Sequence, residues 1–233
     1  MNDELKFTVI SDTHYYSKKN FVDGFDKNKK PKPGQLFFSR SEEIVEHTFD
    51  CLCKNDTPDI VLISGDLTYN GERTSHDEMK AALKKLQQKG KRVYVITATH
   101  DYTTPRMPTY GIDKNDKYIE VESVNRTQLL KYYGDFGYNN AIAKHKSTMS
   151  YVAQLADGYR LFALNDDYGD PDCGFSDELM NWVKTEANNA KRDGQYIIAM
   201  THHPLVPPSP IYAAVAKGDM LNEYELRRNQ LRL

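Results

Sequence analysis

The 233-residue sequence lacks long apolar runs. A membrane-spanning helix needs roughly 20 consecutive apolar residues, and no stretch approaches that length. The N-terminus reaches a strand-like segment at Leu5 without the hydrophobic stretch of a signal peptide. We therefore expect a soluble protein that does not bind membranes, located in the cytoplasm unless a leader has been removed.

Cysteine and net charge are also scarce. Cys51, Cys53 and Cys173 form neither an even disulfide set nor the paired spacing of a structural zinc site, so we interpret them as buried or half-buried thiols. The formal net charge of −2 creates no global field that would attract nucleic acid. An anionic small-molecule substrate must therefore be captured by local groups.

The apolar pattern predicts one α/β domain over residues 1–233. Four short runs rich in β-branched residues read as strands buried on both faces, and they cover 6–10, 59–63, 92–96 and 196–200. Amphipathic patterns between them predict helices at 41–54, 75–90 and 176–193, the second beginning with a Ser75–Glu78 capping box. Strands that alternate with helices indicate a mainly parallel sheet.

Three further segments do not fit this alternation. Two strand-like runs within 148–164 flank Asp157-Gly158, which predicts a hairpin in a second sheet. The segments 15–39 and 102–124 show no clear periodicity, and loops of that length are usually functional or disordered. The lysines of 15–39 suit either a basic lid over an anionic substrate or a solvated surface, and lysine runs are more often solvated.

Each of the four apolar runs is followed at once by polar residues of the metal-ligand type. These clusters are Ser11-Asp12-Thr13-His14, Ser64-Gly65-Asp66, Thr97-Ala98-Thr99-His100-Asp101 and Thr201-His202-His203. In a parallel sheet such clusters meet at the carboxyl edge, where open α/β folds bind their ligands. One such residue alone is usually a turn, cap or surface residue, but four clusters at equivalent strand ends favour a metal site.

The residue types define the chemistry of that site. Asp12 and His14 are two apart in an extended segment, where alternation turns both side chains the same way. Asp66 follows Gly65 and could bridge two metals about 3.5–4 Å apart. A neutral imidazole at His202 suits zinc, iron or manganese better than calcium.

The remaining histidines are interpreted differently. His47, His76 and His145 do not follow strands, so we expect them at the surface. His203 stays ambiguous, because either imidazole of the His202-His203 pair could face the site.

Asp12-x-His14, Gly65-Asp66, Thr99-His100-Asp101 and His202-His203-Pro204 resemble the ordered signature of calcineurin-like metallophosphoesterases, over about 6–204. Segments such as Gly65-Asp66-Leu67-Thr68 with Asn70-Gly71-Glu72 are similar to a bacterial branch near the cyclic-nucleotide phosphodiesterase type. The resemblance implies a four-layer αββα sandwich and a two-metal site.

The resemblance also implies roles for the candidate residues. Asp12 and His14 would bind the first metal, Asp66 would bridge, and His202 would bind the second metal. His100 would be the catalytic histidine, polarising the phosphoryl oxygen or protonating the departing alkoxide, with Asp101 orienting its ring.

Two departures from the family pattern affect the second metal. Thr99 stands where the pattern Gly-Asn-His-Asp has its asparagine, and it binds metal through its hydroxyl, through a water or not at all. No Gly-His-x-His motif follows Pro204, so the chain resembles a truncated or variant member. Missing C-terminal strands would leave a sheet edge open to self-association. We expect at least one bound metal (Mn, Fe or Zn) and a weaker second site.

The leading hypothesis is hydrolysis of a phosphomonoester or phosphodiester by metal-activated water, with His100 assisting. The rival is a non-catalytic metal-binding or protein-interaction module that retains a depleted site. Metal-dependent amide hydrolysis is a third reading, but the sequence has no helical His-Glu-x-x-His motif.

Overall fold

A computed structural model describes residues 4–24, 40–54, 56–105, 107–167 and 174–204. The chain divides into two compact units, Met1–Phe136 and Gly137–Leu233. Both contain a sheet and helices, which confirms the α/β class. The expectation of a single domain over residues 1–233 stays a prediction. In the described ranges no helix is both long and apolar enough to cross a membrane.

The first unit is built on a three-stranded parallel sheet. Its strands are β1 (Phe7–Ile10), β2 (Ile60–Ser64) and β3 (Arg92–Ile96), in the order β1-β2-β3. All five residues of β2 are buried, as expected for a central strand with covered faces. The prediction of burial on both faces is wrong for β1, where Val9 is 56% exposed.

Three helices and a short hairpin complete the described part of this unit. The helices are α1 (Ser41–Leu52), α2 (Arg73–Gln88) and α3 (Leu129–Tyr133). The hairpin pairs β4 (Gly111–Ile112) with β5 (Tyr118–Ile119) and lies in the segment 102–124, which was expected to be a loop. Within 15–39, the described residues include a 3-10 turn at Lys18–Asn20. The lysines from 27 to 32 lie outside the described residues.

The start of α2 corrects one prediction. The helix begins at Arg73, two residues before the expected cap, so Ser75 lies inside its first turn. The Ser75 hydroxyl oxygen instead accepts the N–H of Ser17 and the amide of Asn20, both at 3.1 Å. The capping box was therefore wrong, because Ser75 bonds a neighbouring segment. The apolar face was right, since Met79, Leu83 and Leu86 are buried.

The second unit contains a four-stranded mixed sheet. Its strands are β6 (Ala143–His145), β7 (Ser150–Ala156), β8 (Tyr159–Ala163) and β9 (Tyr196–Met200), in that order. The predicted hairpin is confirmed, since β7 and β8 pair antiparallel across Asp157-Gly158. Helix α4 (Asp177–Arg192) links β8 to β9, which pairs parallel with β8. The Ser176 hydroxyl caps α4 by accepting the N–H of Leu179 at 3.2 Å.

The position of β9 overturns part of the sequence argument. This strand pairs with β8 in the second sheet, whereas β1, β2 and β3 form the first. The four polar clusters therefore do not follow strands of one parallel sheet. A five-residue apolar run carries no information about which sheet it joins, so this error could not have been avoided by pattern alone. The prediction that β9 is buried on both faces is also wrong, since Tyr196 is 69% exposed.

Two of the three histidines expected at the surface are buried. His76 is 0% exposed, because Tyr133 hydroxyl and the Asp101 carbonyl satisfy its two ring nitrogens at 2.6 and 2.9 Å. His145 is 6% exposed, its Nδ1 lying 2.9 Å from the Thr148 hydroxyl. Only His47 is exposed as predicted. Cys51 and Cys53 are half-buried free thiols, and Cys173 lies outside the described residues.

Gly137 provides a sharp test of packing in the second unit. Its φ is +112°, and an added Cβ would overlap the Tyr151 hydroxyl and lie 2.7 Å from the ring carbon Cζ. Tyr151 is 1% exposed, so its ring has no room to move away. Gly137→Ala should lower the free energy of unfolding by about 2–5 kcal/mol, combining left-handed strain with overpacking.

The matched control is Gly158→Ala. Gly158 also has positive φ (+76°), but nothing lies within 4 Å of the added Cβ. We expect a loss of about 1–2 kcal/mol from backbone strain alone. Urea unfolding of both variants measures the difference, and equal losses would contradict the packing argument.

Candidate metal centre

The first two polar clusters of the first unit occupy strained turns. Asp12, His14 and Asp66 all have positive φ, at 55°, 39° and 53°. Such left-handed conformations cost about 1–2 kcal/mol for a residue with a Cβ and persist only where surrounding structure imposes them. Three strained residues in two adjacent turns point to a functional site.

Backbone hydrogen bonds between the two turns impose this geometry. The N–H of Asp12 donates to Gly65 O at 3.2 Å, and the N–H of His14 donates to Asp66 O at 2.9 Å. The hydroxyl of Thr13 donates to Leu67 O at 2.8 Å. The segment after β1 is therefore joined to the segment after β2.

The strained turns bring three predicted ligands together. His14 Nε2 lies 3.7 Å from Asp12 Oδ1 and 3.7 Å from Asp66 Oδ2. Alternation of side chains along an extended segment predicts that Asp12 and His14 lie together. The actual cause is different, because Asp12 and His14 follow β1 in left-handed conformations.

His100 lies beside this group. One ligand atom from each of His14, Asp66 and His100 falls within 4.8 Å of the others. The rings of His14 and His100 are perpendicular, with centroids 4.8 Å apart. The N–H of His100 donates to Asp66 Oδ1 at 3.1 Å, so the Asp66 carboxylate holds both histidine-bearing segments.

The electrostatics of the group favour a cation. Burial opposes the charged form of His14, but the hydrogen bond with Asp12 and the negative charge of Asp66 outweigh it and raise the His14 pKa. A metal ion and a proton compete for the same imidazole lone pair, and the carboxylates stabilise either one.

The donor set fits a metal in its chemistry, and its two known separations are close to those between metal ligands. Two carboxylates with imidazole nitrogen match the mixed N and O ligands of zinc, iron and manganese. Tetrahedral ligand atoms about 2.1 Å from a metal lie about 3.4 Å apart. The two separations of 3.7 Å from His14 Nε2 are close to that value. Asp12, His14 and Asp66 could therefore hold a metal ion, and their assignment to the first metal stays a prediction.

Tyr69 and Asn70 orient the His100 ring, and neither was assigned that role from the sequence. His100 Nδ1 lies 2.6 Å from Tyr69 O and 2.8 Å from Asn70 Oδ1. A carbonyl oxygen only accepts, so Nδ1 carries a proton and donates it. The sequence prediction gave the orienting role to Asp101. In the sequence, the segment Asn70-Gly71-Glu72 is similar to one branch of the family, but that similarity assigns no role to Asn70.

Asp101 holds the backbone of the turn that carries His100. It is fully buried, and its carboxylate accepts the N–H of Thr68 and the N–H of Ala98, both at 2.9 Å. The turn is the 3-10 segment Thr99–Asp101 that follows β3. His76 supports the same turn through the Asp101 carbonyl. Thr99 is half-buried in this turn, and its metal role stays a prediction.

His202 follows β9 in the second unit. Its N–H donates to Asp166 Oδ2 at 3.1 Å, and the N–H of His203 donates to the same oxygen at 2.8 Å. The His203 ring is buried, with Nδ1 3.1 Å from Asp166 Oδ1. The carboxylate thus accepts both backbone N–H groups and also contacts the His203 ring. The His202 side chain is half-buried, and its role as a metal ligand stays a prediction.

Comparison with known proteins identifies a family and a related structure. The calcineurin-like phosphoesterase family model matches residues 5–233. A crystal structure of a dimetal phosphatase from Danio rerio is similar to this chain, with a TM-score of 0.56 and 12% identity, over 86% of this chain and 70% of that chain. At this identity the likeness establishes the fold alone. No curated protein sequence matches the chain.

The buried imidazole of His76 makes stability depend on pH. Burial lowers its pKa from 6.5 to about 3, partly offset by the hydrogen bond to the Asp101 carbonyl. Below pH 6.5 the His76 imidazole is protonated in the unfolded chain but stays neutral in the folded protein. The free energy of unfolding should fall by up to about 1.4 kcal/mol per pH unit as the pH drops from 6.5 towards 3.

The variant His76→Gln removes this titration and keeps an amide donor for the Asp101 carbonyl. Urea unfolding at pH 7 and pH 5, with a chelator present, measures the stability of wild type relative to the variant. The wild-type advantage should shrink at pH 5. The exposed control His47→Gln should show no such trend, and a constant difference for His76→Gln would refute the argument.

Proposed function

Because this chain belongs to the calcineurin-like phosphoesterase family and is a phosphoric ester hydrolase, we propose that it hydrolyses a phosphomonoester or phosphodiester at a two-metal site with His100 assisting. The metallophosphoesterase fold predicted from the sequence is confirmed by the family match and by the Danio rerio structure.

The observation that carries the proposal is the group of side chains around Asp66. Its carboxylate lies 3.7 Å from His14 Nε2 and accepts the backbone N–H of His100 at 3.1 Å. The same residue therefore joins a metal-ligand set to a potential acid catalyst. A purely structural aspartate would not need two strained neighbours at its side.

The reaction needs a nucleophile, neutralisation of phosphoryl charge and a protonated leaving group. Metal ions held by this site would supply the first two by lowering the pKa of bound water and polarising the phosphoryl oxygens. His100 would serve the third need. Water oxygen adds to phosphorus, the bond from phosphorus to the ester oxygen breaks, and a proton passes to the departing oxygen.

The hydrogen bonds of His100 suit this role. Its Nδ1–H is committed to Tyr69 O and Asn70 Oδ1, which fixes the ring plane. In the proposed reaction, Nε2 is the ring nitrogen that meets a substrate oxygen. In the protonated ring Nε2–H can donate to the phosphoryl or leaving oxygen while Nδ1–H stays bonded to its two acceptors.

The number and identity of the metals belong to this proposal. The related Danio rerio protein is described as a dimetal phosphatase, which supports a second metal here. Asp66, Thr99 and His202 are the predicted ligands of that second metal, with Asp66 bridging. Manganese, iron and zinc all suit the donor set, and the resemblance to the cyclic-nucleotide phosphodiesterase branch favours diester as well as monoester substrates.

The proposal predicts which variants lose activity. Hydrolysis of aryl phosphate monoesters and diesters is measured with added manganese for wild type, Asp66→Asn and His100→Ala. His100→Ala should lower kcat about 100-fold or more while metal content is retained, because a positioned proton donor is lost. Asp66→Asn should lower both activity and metal per chain, measured by elemental analysis.

The exposed His47 provides the control, and His47→Ala should leave activity and metal content unchanged. If neither Asp66→Asn nor His100→Ala affected hydrolysis, the proposal would be wrong. Metal-dependent stabilisation without turnover in wild type would instead support the non-catalytic alternative.

A further inference from the structure

Glu72 is a fully buried carboxyl group close to the candidate site. It is 0% exposed and immediately precedes α2. Its oxygens accept the N–H of Asn70 at 3.0 and 3.3 Å. Burying a carboxylate is costly unless several donors surround it, so its retention in the interior calls for a physical reason.

The position of Glu72 suggests a helix cap, but its hydrogen bonds do not. Although Glu72 occupies the N-cap position of α2, its side chain makes no capping hydrogen bond to the helix. The carboxyl group turns back to the preceding residues. Besides the N–H of Asn70, the N–H groups of Glu72 and Tyr69 and the Ser75 hydroxyl donate to the Glu72 carboxyl group.

Glu72 is hydrogen-bonded to the Tyr69–Asn70 turn, and the same turn orients His100. Tyr69 O and Asn70 Oδ1 lie 2.6 and 2.8 Å from His100 Nδ1. On the other side of the same two residues, their N–H groups face the Glu72 carboxyl group. The peptide units of Tyr69 and Asn70 thus lie between a buried acid and the proposed catalytic histidine.

Asn70 also forms hydrogen bonds with Pro108 and Thr109. Its side-chain amide donates to Pro108 O at 3.4 Å, and the Thr109 hydroxyl donates to Asn70 O. Only 5% of Asn70 is exposed. With its amide nitrogen engaged, Asn70 presents its Oδ1 to His100, and a rotation of the turn would withdraw both acceptors together.

The cost of this arrangement is visible in the ionisation of Glu72. Burial raises the Glu72 pKa to about 7, against the opposing effect of the hydrogen bonds it accepts. Groups whose ionisation is unfavourable in the fold are concentrated at functional sites. A helix-start residue selected for stability alone would place serine, aspartate or asparagine here.

We infer that Glu72 is a positioning residue for His100, holding the Tyr69–Asn70 turn so that both acceptors receive the His100 Nδ1–H. Glu72 does not touch the substrate. It acts through hydrogen bonds that fix the tautomer and plane of the imidazole. This inference rests on the proposed hydrolysis for its kinetic consequence, but its structural consequence can be measured without turnover.

A double-mutant cycle tests the kinetic consequence. Glu72→Gln, His100→Ala and the double variant are compared with wild type on an aryl phosphate with manganese. Glutamine replaces one acceptor oxygen by an NH₂ group, which cannot accept from the backbone N–H groups of the turn. We expect kcat to fall about 10–100-fold in Glu72→Gln, as for other residues that support a catalytic group, with KM within about twofold.

The double variant is the informative one. If Glu72 acts through His100, adding Glu72→Gln to His100→Ala should cause no further loss of kcat. Independent, multiplicative losses would show a general structural role and overturn the inference. Glu122→Gln is the control, because Glu122 is an exposed partner of Arg73 at the same helix start, and its activity should equal that of wild type.

The imidazole ¹⁵N NMR spectrum of His100 tests the structural consequence directly. In its neutral form, the wild-type imidazole should carry the proton on Nδ1, and that of Glu72→Gln should show a mixture of tautomers. If Glu72→Gln does not fold, Glu72→Asp supplies the test, since its shorter carboxyl group should also shift the tautomer balance. An unchanged tautomer in the folded variant would overturn the inference. Absence of hydrolysis by wild type would overturn only the proposed function.

Discussion

The candidate site depends on the backbone pairing that continues past the ends of β1 and β2. Asp12 N–H bonds Gly65 O, and His14 N–H bonds Asp66 O, so the two turns are joined by backbone hydrogen bonds like the strands that precede them. This pairing forces three side-chain-bearing residues into left-handed conformations that they would avoid in an isolated peptide. The surrounding structure maintains these strained conformations, and they place His14 Nε2 3.7 Å from both Asp12 Oδ1 and Asp66 Oδ2.

A group of buried polar residues supports the turn that carries His100. Asp101 accepts the backbone N–H groups of Thr68 and Ala98, and His76 supports the Asp101 carbonyl. Each of these groups is buried with its partners in place, which is the condition under which a polar network stiffens a structure. Loops usually confer mobility on a site, whereas here the loops after β2 and β3 are cross-linked by charged and neutral hydrogen bonds.

The sequence predicted the elements of the fold well because each short-range signal has a local cause. Ser176 caps α4 as its residue type suggests, and Asp157-Gly158 turns between β7 and β8. Sheet membership failed for β9, since an apolar run looks the same in either sheet. Ser75 does not cap α2, because its hydroxyl oxygen accepts hydrogen bonds from Ser17 and Asn20, which are distant in the sequence.

The ligand types Asp12, His14 and Asp66 were predictable because metal chemistry restricts the choice of side chain. The orienting groups of His100 were not. One of them is the carbonyl of Tyr69, and every residue type has a backbone carbonyl, so the sequence does not reveal which one is used. The burial of His76 likewise depends on Tyr133, a residue from another helix that no local pattern links to it.

The pairing between the two ligand-bearing turns also has a consequence for the order of events during folding. The Thr13 hydroxyl and the Leu67 carbonyl that it bonds are 54 positions apart in the chain. Contacts of such long range form late, after the loop between them has been closed at an entropic cost. Asp12 and His14 lie two residues apart and can meet locally, whereas Asp66 can join them only once β1 has docked against β2.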